Sequence, residues 1–357
     1  ADPLNLNRII PAEGRCMEIL HPDQPSHMED AMKVPFLVAG LATVATMAAA
    51  ETPVLKVMTY DSFATEWGPG PAVEKAFEAD CACDLQFVTA GDGAALLSRI
   101  QMEGAASEAD VVLGLDTNLT AAASATGLFA PHGQTWKNSL PVAFDDPNFV
   151  PFDWGWFAFV YDKTKLTKVP ANFEDLAASD VKIVIQDPRS STPGLGLLMW
   201  VKAAYGDKAA DVWKALADNI VTVTPGWSEA YGLFLEGEAD MVLSYTTSPA
   251  YHLIAESDDS KAAAPFAEGH YLQVEVAGKL AATDQPELAD KFLAFIGSDA
   301  FQSVIPTTNW MYPATAAAVP DGFNTLIKPE KSLLLSASDA AAARDAALAE
   351  WQAALAK

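Results

Sequence analysis

Hydroxyls, a carboxylate and aromatic rings recur in one kind of place along this chain, just after a short apolar run. Asp92 and Gly93 follow DLQFVTA (84–90), and Ser191 and Thr192 follow KIVIQD (182–187) within PRSSTPGLG. Trp227 closes the turn Thr224-Pro225-Gly226-Trp227 after VTV. Tyr245, Thr246, Thr247 and Ser248 follow MVLS, with Pro249 and Tyr251 just beyond. Tyr60 ends the first run, VLKVMTY (54–60), and Trp310 lies in TTNWMYP. Large rings at strand ends form a slot for a flat ligand, and their faces attract cations.

Two of these junctions share a design. Thr192-Pro193 and Ser248-Pro249 each place a hydroxyl at the expected N-cap and proline at the first helical position. Free backbone N–H groups and the positive end of a helix lie beyond each cap, and such ends hold a hydroxyl, carboxylate or phosphate. Ser191 adds a donor, and Gly194 and Gly196 let a ligand approach the backbone. One such junction alone reads more readily as a capped helix; several around one crevice read as a binding site. Trp200 and Trp213, inside helical patterns, are expected in the core.

The elements that position these groups alternate. VLKVMTY, DLQFVTA and DVVLGL (110–115) read as strands, with helices at 71–80 and 94–104 between them. The near-continuous apolar run of DVVLGL suits a parallel strand covered on both faces. The expected fold class is α/β, with doubly wound sheets whose ligand sits beyond the carboxyl ends of the strands. Residues 130–155, dense in Pro, Asn and Asp, break the rhythm; WFAFVYD (156–162) enters a second lobe, where KIVIQD, VTVTPGW and DMVLSY alternate with helices. APFAEGHYLQVEVAGKL (264–280) reads as the return, and the Ala-rich helix 338–357 is expected to pack on the first lobe. Lobe 1 is therefore 51–150 with 272–357, and lobe 2 is 151–271.

Length and composition agree with two domains: 357 residues, 50% of them apolar. A net charge of −25 repels nucleic acid and anionic lipid. Met32-Lys33 followed by VPFLVAGLATVATMAAA (34–50) reads as a secretory signal cleaved after Ala50, with a membrane anchor as the weaker alternative. Residues 1–31 read as an upstream extension. Cys81 and Cys83 allow either a disulfide or free thiols. His132, His252 and His270 are scattered, so no metal cluster is expected.

With these motifs in order, the chain resembles the periplasmic thiamine-binding proteins of bacterial thiamine ABC transporters. The resemblance is carried by TYDSFATEWGPGPAVEKAFEADCACDL, RIQMEGAASEADVVLGLDTNL, DPRSSTPGLGLLMW, TPGWSEAYGLFLEGEADMVLSYTTSPAYH and TNWMYP, and covers nearly all of 52–330. It implies a type II solute-binding fold, with two lobes joined by two crossing segments around a cleft. It further implies a periplasmic, monomeric, non-enzymatic protein without cofactor. Such a protein binds thiamine, thiamine monophosphate and thiamine diphosphate and delivers them to the membrane permease of the transporter. The family's contacts carry over to Asp92, Gly93, Ser191, Thr192, Trp227, Tyr245, Thr246, Thr247 and Ser248, with Tyr251, Trp310 and Tyr60 as further pocket rings. Asp92 or Asp61 would lie near the thiazolium cation. The family's Glu-Asp-Gly stands here as Gly91-Asp92-Gly93. The alternatives are a thiamine-degrading enzyme and a ferric-ion-binding protein of similar fold.

Overall fold

VVLGLD, in which all six residues are buried, is apolar up to its final Asp116 because both faces of its strand are covered. It forms β3 (Val111–Asp116), beside β1 (Val54–Thr59) and β2 (Asp84–Thr89). The later strands are β4 (Phe129–Ala130), β5 (Phe149–Asp162), β6 (Ile183–Gln186), β7 (Ile220–Thr224), β8 (Met241–Tyr245), β9 (Lys261–Ala263), β10 (His270–Leu280), β11 (Tyr312–Pro313) and β12 (Ser332–Leu333). The computed structural model describes residues 51–356; the extension expected at 1–31 and the signal expected at 32–50 lie outside them.

The main strand order is β2-β1-β3-β10-β5-β8-β6-β7. β1 runs parallel to β2 and β3, and β6 parallel to β7 and β8. Between these parallel groups stand β10 and β5, antiparallel to each other and to their outer neighbours β3 and β8. The two long strands therefore tie two α/β lobes together. β5 begins earlier than the apolar run 156–162: FVPFDWG is strand rather than loop. Pro151 pairs beside a register shift against β10, where an absent N–H interrupts no regular ladder.

Helices cover the sheet where the apolar periodicity places them, including Gly70–Cys81, Gly93–Glu103, Thr192–Tyr205, Ala209–Leu216, Trp227–Glu236 and Pro286–Ile296. Trp200 and Trp213 are core residues, with Trp200 Nε1 donating to Gly269 O at 2.9 Å. The C-terminal helix Ala337–Leu355 does not pack mainly on the first lobe, as the sequence reading expected. It lies chiefly along Thr192–Tyr205 and Ala209–Leu216. Lys202 Nζ pairs with Glu350 at 3.0 Å and the Arg189 guanidinium stands 5.9 Å from the Trp351 ring. An alanine-rich helix has no strong apolar face of its own, so its bulky buried Trp351 and these charges decide where it docks. Cys81 and Cys83 form a disulfide at the entry to β2. No helix among the described residues is long and apolar enough to cross a membrane.

Candidate functional site

The carboxyl ends of the parallel strands meet at a cavity of about 410 Å³ between the lobes, walled from both sides. Asp92 stands in its wall, as N-cap of the helix Gly93–Glu103. Its Oδ1 accepts from Gly93 N at 2.8 Å; its Oδ2 accepts from Ser191 Oγ at 2.6 Å and Trp227 N at 3.2 Å. The latter two belong to the second lobe, at the starts of the helices Thr192–Tyr205 and Trp227–Glu236. Three helix N-termini thus converge on one carboxylate, and Ala95 N reinforces the junction by donating to Ser190 O at 2.9 Å. Burial raises the Asp92 pKa; the bonds from Ser191, Gly93 and Trp227 pull it back. Gly93 permits the approach: a Cβ there would lie 1.9 Å from Thr192 Oγ1.

The expected caps are different from those observed. Thr192 is the first helical residue, and Ser191 occupies the cap position but turns its hydroxyl to Asp92 instead of to its own helix. Aiming its O–H at a charged carboxylate in the other lobe turns the Ser191 oxygen away from the amides of its own helix. Thr192 Oγ1 is buried and unpartnered at the cavity wall. Ser248 has helical backbone angles; its Oγ accepts from Tyr245 N at 3.2 Å and lies 2.7 Å from Ser244 Oγ, so it holds the strand-to-helix turn.

The rings form the walls. Trp227 stacks on Tyr231 at 5.0 Å and 29°, and its Nε1 donates to Ser244 Oγ at 2.8 Å. Tyr231 is fixed in turn by His252, its hydroxyl 2.9 Å from Nε2, while His252 Nδ1 is 2.6 Å from Glu256. Tyr251 meets Trp310 edge-on at 5.4 Å, and Tyr245 stacks on Phe157 at 5.1 Å. Trp310 holds φ at 57°, a left-handed angle unusual for a bulky residue. Tyr60, Asp92, Thr192, Trp227, Tyr245, Ser248, Tyr251 and Trp310 all line the cavity. Gly93 and Ser191 stand behind that lining. Thr246 and Thr247 are also buried away from it, the latter with its hydroxyl 3.6 Å from Met311 Sδ. Asp61 takes no part in the lining; its carboxylate accepts from Gly91 N at 3.1 Å.

Sequence reasoning missed the acids. Glu275 lines the cavity from the middle of β10, and its register partner on β5 is Asp153. Tyr60 donates its hydroxyl to Glu275 Oε2 at 3.0 Å, and Asn309 Nδ2 donates to Asp153 Oδ2 at 2.6 Å and to Tyr60 Oη at 3.0 Å. Burial raises Asp153 to about 7 and holds Glu275 well above the carboxylate range. The one available signal was an acidic residue inside each otherwise apolar strand, FVPFDWGWF and LQVEVAG. A second group, His252, Glu256 and Asp258, brings potential metal ligands close together, but both His252 nitrogens are already engaged by Tyr231 and Glu256.

The family model for bacterial extracellular solute-binding proteins matches residues 67–303. The chain belongs to that family. This solute-binding protein is 57% identical over 308 residues to the thiamine-binding periplasmic protein of Escherichia coli K12, covering 85% of this chain and 94% of that one. It is 50% identical over 324 residues to the protein of the same name from Brucella suis, covering 89% and 96%. A solved periplasmic thiamin binding protein superimposes with a TM-score of 0.84 at 56% identity, covering 86% of this chain and 97% of that one. The expectations of a two-lobed type II binding fold and a periplasmic location hold.

Proposed function

We propose that this solute-binding protein captures thiamine and its phosphate esters in the interlobe cavity and hands them to the membrane permease of an ABC transporter. The observation that carries the reading is the cavity itself. Trp227, Tyr245, Tyr251 and Trp310 wall a space of about 410 Å³ that has buried acids on one side and helix N-termini on the other. Aromatic faces suit the aminopyrimidine and the thiazolium cation. The helix ends and the unpartnered Thr192 hydroxyl suit the hydroxyethyl tail or its phosphate. The names of the relatives point to the same vitamin.

Binding without catalysis is part of this reading. Cys81 and Cys83 are joined to each other at the opening of β2, the end of the strand opposite the cavity, so neither supplies a nucleophile there. Ferric-ion binding is disfavoured by the phenols. The Tyr60 hydroxyl is engaged by Glu275, that of Tyr231 by His252 and that of Tyr251 by Glu256. Mass spectrometry of ligand released from purified protein, with calorimetric titration of thiamine, its monophosphate and its diphosphate, tests the proposal. Intact thiamine species, and saturable binding of all three, are expected. Absence of binding, or return of cleaved thiamine, overturns it.

A further inference from the structure

The rings and the helix ends leave one buried group in the cavity without a role. Asp153 and Glu275 are 0% and 4% exposed and face each other as register partners on β5 and β10. Two buried carboxyl groups set side by side across a ladder cannot both ionise without a cation beside them, so one proton stays on the pair. Each is also fixed by a neutral donor, Tyr60 on Glu275 and Asn309 on Asp153. Asp153 Oδ1 is buried and has no hydrogen-bond partner.

Among the described residues no lysine, arginine or histidine side chain is hydrogen-bonded to either acid. From β1 comes Tyr60; Asp116 on β3 stands opposite Glu275 in the ladder; Tyr245 comes from the end of β8 and Asp92 from the junction after β2. The Arg344 field reaches this group of acids through Asp116. An acid pair whose Glu275 lines the ring-walled cavity, and which has no basic hydrogen-bond partner, is short of one positive charge. A proton supplies it when the cavity is empty. A cationic ring supplies it when the cavity is filled.

We propose that the Asp153–Glu275 pair is the recognition site for the ligand's positive charge, keeping one proton while the cleft is empty and releasing it to solvent when a permanently cationic heteroaromatic ring enters. One O–H bond is broken, the proton goes to bulk water, and the carboxylate it leaves is balanced by the cation; no other bond changes. The inference rests on the thiamine reading above. Desolvation holds the proton on the pair at neutral pH. Proton and ligand therefore compete, and affinity rises with pH by about tenfold per unit for each proton released.

Calorimetric titration of thiamine into the whole protein near about pH 7, in Pipes and in Tris, counts protons through the different ionisation enthalpies of the two buffers. Release of about one proton per thiamine is expected. Affinity should also rise about tenfold between roughly pH 6 and 7. Glu275→Gln and Asp153→Asn should each abolish the buffer dependence. Thiamine binding with the same heat in both buffers overturns this inference and leaves the thiamine reading standing; no thiamine binding overturns both. Proton release that persists in both variants places the proton elsewhere and also overturns the inference. The wild-type comparison needs neither variant to fold.

Discussion

Asp92 and Ser191, ninety-nine positions apart, join the two lobes by a hydroxyl-to-carboxylate hydrogen bond of 2.6 Å. The bond spans the two lobes, so it contributes to their association rather than to the stability of either lobe alone. Asp92→Ala and Ser191→Ala should each weaken thiamine binding, and the double variant should lose less than the sum. The coupling should be about 1.5–3 kcal/mol, the range for a hydrogen bond to a charged group. A double-mutant cycle by calorimetry measures it; strict additivity would remove the bond from the energetics of closure.

Trp227 offers its ring to the cavity while its backbone N–H and Nε1 are held by Asp92 and Ser244. Trp227→Ala should weaken thiamine binding by about 1–3 kcal/mol through lost stacking and burial. Trp227→Phe should recover most of that loss. Melting of the ligand-free protein should shift little, because Trp227 is only half-buried. Wild-type affinity in Trp227→Ala would take this ring out of the ligand's walls.

Asp116 and Asp153 are both raised to about 7 by burial. Their unfolded values lie near about 3.9, so between those limits the folded protein binds more protons than the unfolded chain. The contribution is fully present below the unfolded value and is lost as pH rises through the folded one, at no more than about 1.4 kcal/mol per pH unit per group. Ligand-free Asp153→Asn should therefore lose less melting temperature than wild type between roughly pH 5 and 8. Parallel melting curves for the two proteins would contradict this assignment.

Gly114 sits in β3 at φ 115°, and a Cβ there would lie 2.3 Å from the Tyr60 ring. Gly114→Ala should cost about 1–3 kcal/mol in backbone strain alone. It should also weaken thiamine binding by displacing Tyr60, and with it the hydroxyl on Glu275. Urea midpoints and ligand titration read the two effects separately.

Much of this architecture is written locally. DVVLGL and MVLSY announce buried strands by apolar runs, and the Gly-Asp-Gly, Ser-Thr-Pro-Gly and Pro-Gly-Trp turns mark the strand ends that open on the cavity. What escaped is nonlocal. Asp153 and Glu275 look like stray acids in crossing strands until the ladder makes them partners. Ser191 reads as a helix cap neighbour until Asp92 arrives from the other lobe. The C-terminal helix carries a composition without a direction, and Trp351 acquires a docking place only when Arg189 and the neighbouring helices are assembled.

The register of β10 slips twice in succession, between Glu275 and Val276 against β5 and between Val276 and Ala277 against β3. Strands bend at such irregularities, and here the bend falls in a strand that both lobes share. Glu275 sits at the bend, while Asp92 and Ser191 meet where the lobes touch. The cavity acid and the interlobe bond are thus held by one continuous sheet, the first at its seam and the second beyond its strand ends.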